Sequence, residues 1–390
     1  MTGFRNVFKC LAAIPFTLGL ASGAWAQDVV RIGYTGPLSG GAALYGKNVA
    51  SGVELAINEI NSKNPEVAGK RVKFELVALD DKYSSAEATI NARRLVQQDK
   101  VSVIFIPHTG GIYALQAFNE RENFMIMGYT SVPQITEAGN KLTVRPVPSF
   151  NAFVGPFANH QFKKYGKSVG LLPGDHEYAK LWTEAFTAKW EKLPGATITA
   201  RNPMSYNRSA DFYSGVSKVL ATKPNLLFVG GPSEPTALVI KQSRELGFKG
   251  GFILMEQCKL DEMANVLGGY AALEGAIGVL PIKMDDRVGA KAFSAKYSKA
   301  YGPDRPPTQE SSYNYTFMHV VALAMQLSGS TTDALAIRAK MNEAVSKVPK
   351  DLNSGSFTSV DQAGNSDSEV FIGLVENGVV NKLTLLEASK

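Results

Sequence analysis

Cysteine and histidine are scarce in this chain of 390 residues: it has two cysteines and four histidines. Cys10 lies in an N-terminal stretch expected to be cut away, so Cys258 has no partner for an intrachain disulfide. His108, His160, His176 and His319 show no pairing at metal-ligand spacing, and a cysteine-based metal site is excluded by number. No metal and no cofactor is therefore expected. The patterns GxxxxGK[ST], GxSxG and HExxH are missing, which removes phosphate-loop, α/β-hydrolase and zinc-protease chemistry. With no catalytic constellation in view, the chain is not expected to be an enzyme. No internal run approaches the roughly 18 apolar residues that mark a transmembrane helix. The net charge of +6 is scattered, with nothing longer than Arg93-Arg94 or Lys163-Lys164. A nucleic-acid binder concentrates such charge in a stripe, so no nucleic-acid partner is expected.

The N-terminus carries an export pattern. Arg5 and Lys9 precede an apolar stretch from Leu11 to Ala21, which ends at Ala24-Trp25-Ala26, a small-x-small cleavage signal. Residues 1–26 are expected to be a cleavable signal peptide and the mature chain to be exported. The remaining length suits two lobes rather than one.

The mature sequence alternates strands and helices. Val29 to Tyr34 is apolar and β-branched and breaks at Gly36-Pro37, which reads as a buried strand. Val49, Val53, Ile57 and Ile60 recur at helical spacing. Val72 to Ala78 reads as a second strand, ending at Asp80-Asp81. A helix from Ser85 to Gln97 is expected to turn Ile90 and Leu95 inward, with Ser84 or Ser85 as its N-cap. Val101 to Ile106 and Phe124 to Met127 complete a first set of strands. Arg145-Pro146-Val147-Pro148 forbids helix and reads as a passage between lobes. The alternation then restarts at Ser168–Leu172, Thr197–Arg201, Leu226–Val229, Phe252–Met255 and Ala276–Leu280. A second passage is expected at Pro281-Ile282-Lys283 and a third near Lys350 to Ser356. The tail around Asn377-Gly378 reads as a hairpin. The expected fold is α/β: two doubly wound parallel-sheet lobes joined by three crossing segments. Residues 27–146 with 283–352 would form the first lobe, and 147–282 with 353–390 the second.

Ligands of open α/β sheets bind beyond the carboxyl ends of the strands. In the first lobe those ends offer Thr109, Gly110, Gly111, Thr130 and Ser131, small and hydroxyl-bearing groups that suit a carboxylate near a helix N-terminus. In the second they offer Asp175, Tyr178, Ser233 and Glu256, where a carboxylate suits an ammonium group. Tyr45, Tyr129 and Tyr178 would wall the pocket. Asp175 also reads as a turn former, and Tyr313 as a core residue.

At these positions the chain resembles the type I periplasmic binding proteins of branched-chain amino acid ABC importers. The opening IGYTGPLSGGAALYGKNVASGVELAINEIN (Ile32 to Asn61), Asp80-Asp81 and the VRPVPS stretch carry the likeness, which runs through nearly the whole mature chain. The resemblance implies capture of a hydrophobic amino acid by hinge closure and delivery to permease subunits in the inner membrane, by a monomer. It implies an aromatic pocket residue at Tyr45, carboxylate contacts at Tyr129, Thr130 and Ser131, a pocket tyrosine at Tyr178 and an ammonium contact at Glu256. Two departures stand out: Gly110-Gly111 replaces serine-rich sequence, and Pro232-Ser233 lies near a position often held by tyrosine. Lys82 and His108 fall near the positions of a family disulfide, so that bridge is absent. A carboxylate ligand without an ammonium, or a sensor role at a membrane receptor, remains open.

Overall fold

The computed structural model describes residues 1–2, 27–303 and 305–389; the expected leader lies outside the described residues apart from its first two. One sheet contains β1 (Asp28–Gly36), β2 (Glu66–Val67), β3 (Lys70–Asp80), β4 (Val103–Ile106), β5 (Met125–Gly128) and β6 (Thr143–Val144), in the order β2-β3-β1-β4-β5-β6. Its neighbours are parallel except for the short β2–β3 pair. A second sheet begins with β7 (Ser168–Pro173), β8 (Thr197–Arg201), β9 (Leu226–Gly230), β10 (Gly251–Leu254) and β11 (Ala276–Val279), all parallel. After a small separate ladder of β12 (Ser359–Val360) and β13 (Ser366–Asp367), β14 (Phe371–Glu376) and β15 (Val379–Thr384) join it antiparallel beside β11. Asn377 and Gly378 both adopt left-handed backbone, φ 54° and 73°, as the two-residue turn of the expected hairpin requires.

Both faces of the first sheet are covered, which is why its strands read as continuous apolar runs. Val49, Val53 and Ile57 of the helix Ala43–Asn61 pack with the helices Gln309–Ser328 and Ala334–Lys347 on one face. Ala88, Ala92 and Leu95 of the helix Ser85–Gln97 cover the other. Ser84 caps that helix by accepting from the Glu87 amide. Ile90, expected inward, is 60% exposed. The spacing 88, 92, 95 defines the buried stripe, and position 90 lies roughly opposite it at 100° per residue.

The passages between the lobes are tied together. Arg145 is buried, its amide donates to Gly364 O at 2.8 Å and its Nη2 to Asn365 Oδ1 at 2.7 Å. Ser366 Oγ returns a bond to Arg145 O at 2.8 Å. The second passage falls at Pro281–Met284, a 3-10 turn leading into the helix Val288–Tyr301. The third was expected near Lys350 to Ser356 but lies after Asp367. Phe357 and Val360 sit in the first lobe's core, whereas Ile372 lies in β14 and pairs with Val279 of the second sheet. The apolar pattern of 357–360 carries no mark of which core it serves.

Helix Ala43–Asn61 meets helix Gln309–Ser328 at Gly52, where a Cβ would fall 2.0 Å from Ser311 O. Gly52→Ala is predicted to force the helices apart and cost roughly 1–3 kcal/mol in chemical denaturation. An unchanged midpoint contradicts this packing.

Candidate functional site

In each sheet the strand order reverses direction at one place: between β1 and β4 in the first, between β7 and β9 in the second. Loops leaving the strands at such a switch point diverge and leave a crevice. The two crevices face each other. Gly41 N donates to Asn207 O at 3.2 Å, Ala42 N to Asn207 Oδ1 at 3.0 Å and Gln257 Nε2 to Tyr83 OH at 3.0 Å, each bond joining one lobe to the other. The mouth holds a cavity of about 580 Å³ lined by Ser39, Lys82, Tyr83, Asp175, His176 and Asn207, among others.

The first-lobe wall is organised by Asp81, which is fully buried. It accepts from Thr35 Oγ1 at 3.1 Å and from Tyr83 N at 2.9 Å, and lies 2.8 Å from His108 Nε2. His108 Nδ1 accepts from Gly111 N at 3.1 Å and so caps the helix Thr109–Gln116. With Nδ1 accepting, the proton of a neutral ring sits on Nε2 and points at Asp81. Asp80 and Asp81 also hold Lys82 and Tyr83 in left-handed backbone, φ 53° and 63°, by accepting their amides. Such non-glycine residues cost of order 1–3 kcal/mol each, and here the strain aims Tyr83 across the crevice. Its ring lies 5.0 Å from that of His108 and 5.2 Å from that of His176 in the opposite lobe.

The glycine pair has a local reason. A Cβ on Gly111 would fall 2.4 Å from His108 Cε1, so the imidazole cap demands glycine there. The cap also takes the Gly111 amide, which was expected to face an anion. Gly110 approaches Ser85 Oγ more loosely, at 2.7 Å from a built Cβ, against the end of a mobile side chain. Thr109 Oγ1 and Thr130 Oγ1 bond each other at 2.8 Å. Ser131 is fully buried, and its Oγ has no hydrogen-bond partner among the described residues. Tyr45 and Tyr129 have ring centroids 6.2 Å apart, and Tyr45 OH donates to Pro107 O at 2.8 Å.

In the second lobe, Glu256 Oε2 accepts from Tyr178 OH and, at 2.8 Å, from Trp182 Nε1. Tyr178 and Trp182 stand one turn apart on the helix Glu177–Trp190, so one helix face supplies both donors. Burial, and then Glu256, raise the Tyr178 pKa well above its ordinary value, so the hydroxyl keeps its proton and donates. Trp182 was not anticipated, although its spacing from Tyr178 signals it. Ser233 Oγ donates to Glu262 and accepts from Lys259 N at 3.0 Å, so its hydroxyl is engaged within its own lobe. Lys259 Nζ lies 3.2 Å from Glu310 Oε1 across the interface, another pair not anticipated from the sequence. Asp175 sits at the exposed mouth, accepting from Ser205 Oγ at 2.6 Å. Tyr313 is fully buried, with its ring edge-on to Phe357 in the first core. Burial pushes the Cys258 thiol up to about 12, which keeps it protonated and unreactive.

His176 mirrors His108: its Nδ1 accepts from Ala179 N at 3.3 Å and caps the helix Glu177–Trp190. Its Nε2 is enclosed without a partner among the described residues.

A family model described as periplasmic binding protein matches residues 29–375. An amino acid binding protein of Pseudomonas aeruginosa is 27% identical over 342 residues, covering 85% of this chain and 87% of that protein. A leucine-binding protein from Thermotoga maritima superposes with a TM-score of 0.76 at 24% identity, covering 91% of this chain and 98% of that one. A solute-binding protein of an R. palustris ABC transporter, solved with 4-hydroxybenzoate, gives 0.76 at 20% identity over 92% and 96%. The structural likenesses establish the fold, that of type I periplasmic binding proteins.

Burial lowers the His176 pKa to about 4. The unfolded ring titrates near 6.5, so the folded chain binds fewer protons between those values. His176 is therefore predicted to cost no stability above about pH 6.5 and up to roughly 2–3 kcal/mol as pH falls to 4, at about 1.4 kcal/mol per unit. His176→Asn keeps a capping oxygen and removes the titration. The stability difference between the two chains should change over this range; a constant difference refutes the assignment.

Proposed function

The chain belongs to the periplasmic binding protein family, and on that premise we propose that it captures a hydrophobic α-amino acid between its lobes for an ABC importer. One observation carries the reading. Two unlike polar groups lie buried just beyond strand ends in opposite lobes: a hydroxyl without a partner among the described residues on Ser131, after β5, and the carboxylate of Glu256, after β10. An α-amino acid presents the matching pair, a carboxylate and an ammonium, on one carbon.

The ligand carboxylate rests on Ser131 and the segment Tyr129–Thr130, beside the N-terminus of the helix Thr109–Gln116, whose partial positive charge favours an anion. Tyr45 and Tyr129 flank the side chain. Tyr178 and Trp182 already donate to Glu256 Oε2, and Oε1 takes the ammonium. Closure adds the second-lobe contacts and excludes water, so a ligand that touches both lobes shifts the population toward the closed form. The tied passages at Arg145–Ser149, Pro281–Met284 and Asp367–Phe371 act as the hinge. Among the described residues, the Cys258 thiol is held protonated and His108 and His176 are engaged in capping helices, which favours capture over turnover. The reading places the mature chain in the periplasm as a monomer that presents its closed form to permease subunits. Relatives named for amino acid and leucine binding support it.

A second reading rests on the aromatic column of His108, Tyr83, His176 and Tyr178, with successive centroids 5.0, 5.2 and 5.8 Å apart. Such rings suit an aromatic acid without an ammonium, and a fold neighbour was solved with 4-hydroxybenzoate.

Calorimetry with L-leucine and with 4-hydroxybenzoate separates the two. On the main reading, L-leucine binds and Glu256→Ala weakens it by roughly 2–4 kcal/mol, the cost of stranding one member of a buried charged pair. Ser131→Ala weakens it by roughly 1.5–3 kcal/mol, as for a hydrogen bond to a charged group. Binding of 4-hydroxybenzoate alone, indifferent to Glu256→Ala, overturns the main reading in favour of the second.

A further inference from the structure

The crevice floor carries more negative charge than a buried space tolerates. Glu262 is 3% exposed at the start of the helix Leu260–Leu267. It accepts from Ser233 Oγ in its own lobe and from Asn48 Nδ2 of the helix Ala43–Asn61 in the other. On its own element it has Asp261 and Lys259 beside it. The helix Gln309–Ser328 turns Glu310 toward it, and Tyr297 of the helix Val288–Tyr301 also feels its charge. Tyr270 faces Asp261 from the following turn. Glu310 is fully buried; its Oε1 has the Lys259 ammonium at 3.2 Å, and its Oε2 and Asp261 Oδ2 have no hydrogen-bond partner among the described residues. With Glu256 nearby, four carboxylates act on the one ammonium that Lys259 supplies among the described residues.

Burying unpaired carboxylates costs more than neutralising them, so such a cluster gains protons. The surroundings decide which carboxylate takes one. Glu256 holds two donors, one of them an indole N–H that cannot accept. Glu310 has Lys259 at 3.2 Å. Burial pushes Asp261 up only to about 6, because it accepts backbone amides at its helix start, so it stays ionised over most of the range above that value. Glu262 alone among the four has partners that can reverse. The Ser233 hydroxyl can rotate to accept, and the Asn48 amide offers an oxygen as readily as an NH₂. Asn48 and Glu310 belong to the first lobe, so this crowding exists only when the lobes meet.

We propose that Glu262 is a proton site completed by lobe closure, so that closing takes up one proton from solvent onto its carboxylate and opening releases it. The added proton sits on Oε2 and donates to Ser233 Oγ, which still accepts the Lys259 amide. Burial and the Glu310 charge both push Glu262 well above the ordinary carboxylate range, in keeping with this assignment. The inference rests on the two-lobed opening proposed above. The proton becomes a co-ligand, and capture weakens as pH rises.

The test needs no ligand. Spin labels on Asn58→Cys and Lys241→Cys, both exposed and in opposite lobes, report the lobe separation, while Cys258 is buried and stays unlabelled. The ligand-free chain should show two distances, with the closed fraction growing as pH is lowered from 9 to 6 and the closed-to-open ratio changing by up to about tenfold per unit. Glu262→Gln mimics the protonated acid and should hold one ratio throughout. Asn48→Asp adds a carboxylate at the contact and should enlarge the shift. Two distances whose ratio ignores pH, or a shift that survives in Glu262→Gln, overturn the proton site alone. A single distance under all conditions overturns it together with the hinge.

Discussion

A carboxylate buried between two lobes must be supplied with donors, and the arrangement of this crevice follows from that demand at Glu256. Its own lobe provides two, a phenol and an indole from one helix face. The opposite lobe presents a buried hydroxyl with its capacity unspent. Desolvation makes each of these groups costly to leave unsatisfied, and a guest carrying opposite charges at its two ends satisfies both. On the proposed reading, the closed form is favoured in proportion to how well the guest bridges the lobes.

The scaffold that holds these groups solves a matching problem on each side. In both lobes a histidine caps the helix at the switch point, spending Nδ1 on an amide. In the first lobe the free nitrogen meets Asp81, and the same aspartate pins Tyr83 in a strained conformation. Gly111 is a consequence of that cap. What looked like a binding glycine is also a packing requirement of the imidazole.

Much of this was legible in the sequence. Apolar runs, prolines and the Asn377-Gly378 turn placed the strands, the first passage and the hairpin, because each depends on local periodicity or backbone restriction. Residues such as Ser131 and Glu256 could be singled out as candidates because ligands of open α/β sheets bind beyond strand ends. Ile90 was misjudged because one apolar residue does not define a helix face. The third passage was misplaced because an apolar stretch such as 357–360 does not say which of two cores it joins. Lys259–Glu310 and Asn48–Glu262 pair residues distant in the chain, and nothing local announces them. They arise from how the lobes meet.

The account stands on Ser131 and Glu256 holding the two ends of one molecule. A crystal structure of the mature chain grown with L-leucine tests this most directly. The expected result is a carboxylate within hydrogen-bond distance of Ser131 Oγ and an ammonium on Glu256 Oε1, with the lobes closed around them. Electron density for leucine elsewhere, or a closed crevice from which the amino acid is absent at saturating concentration, would contradict it.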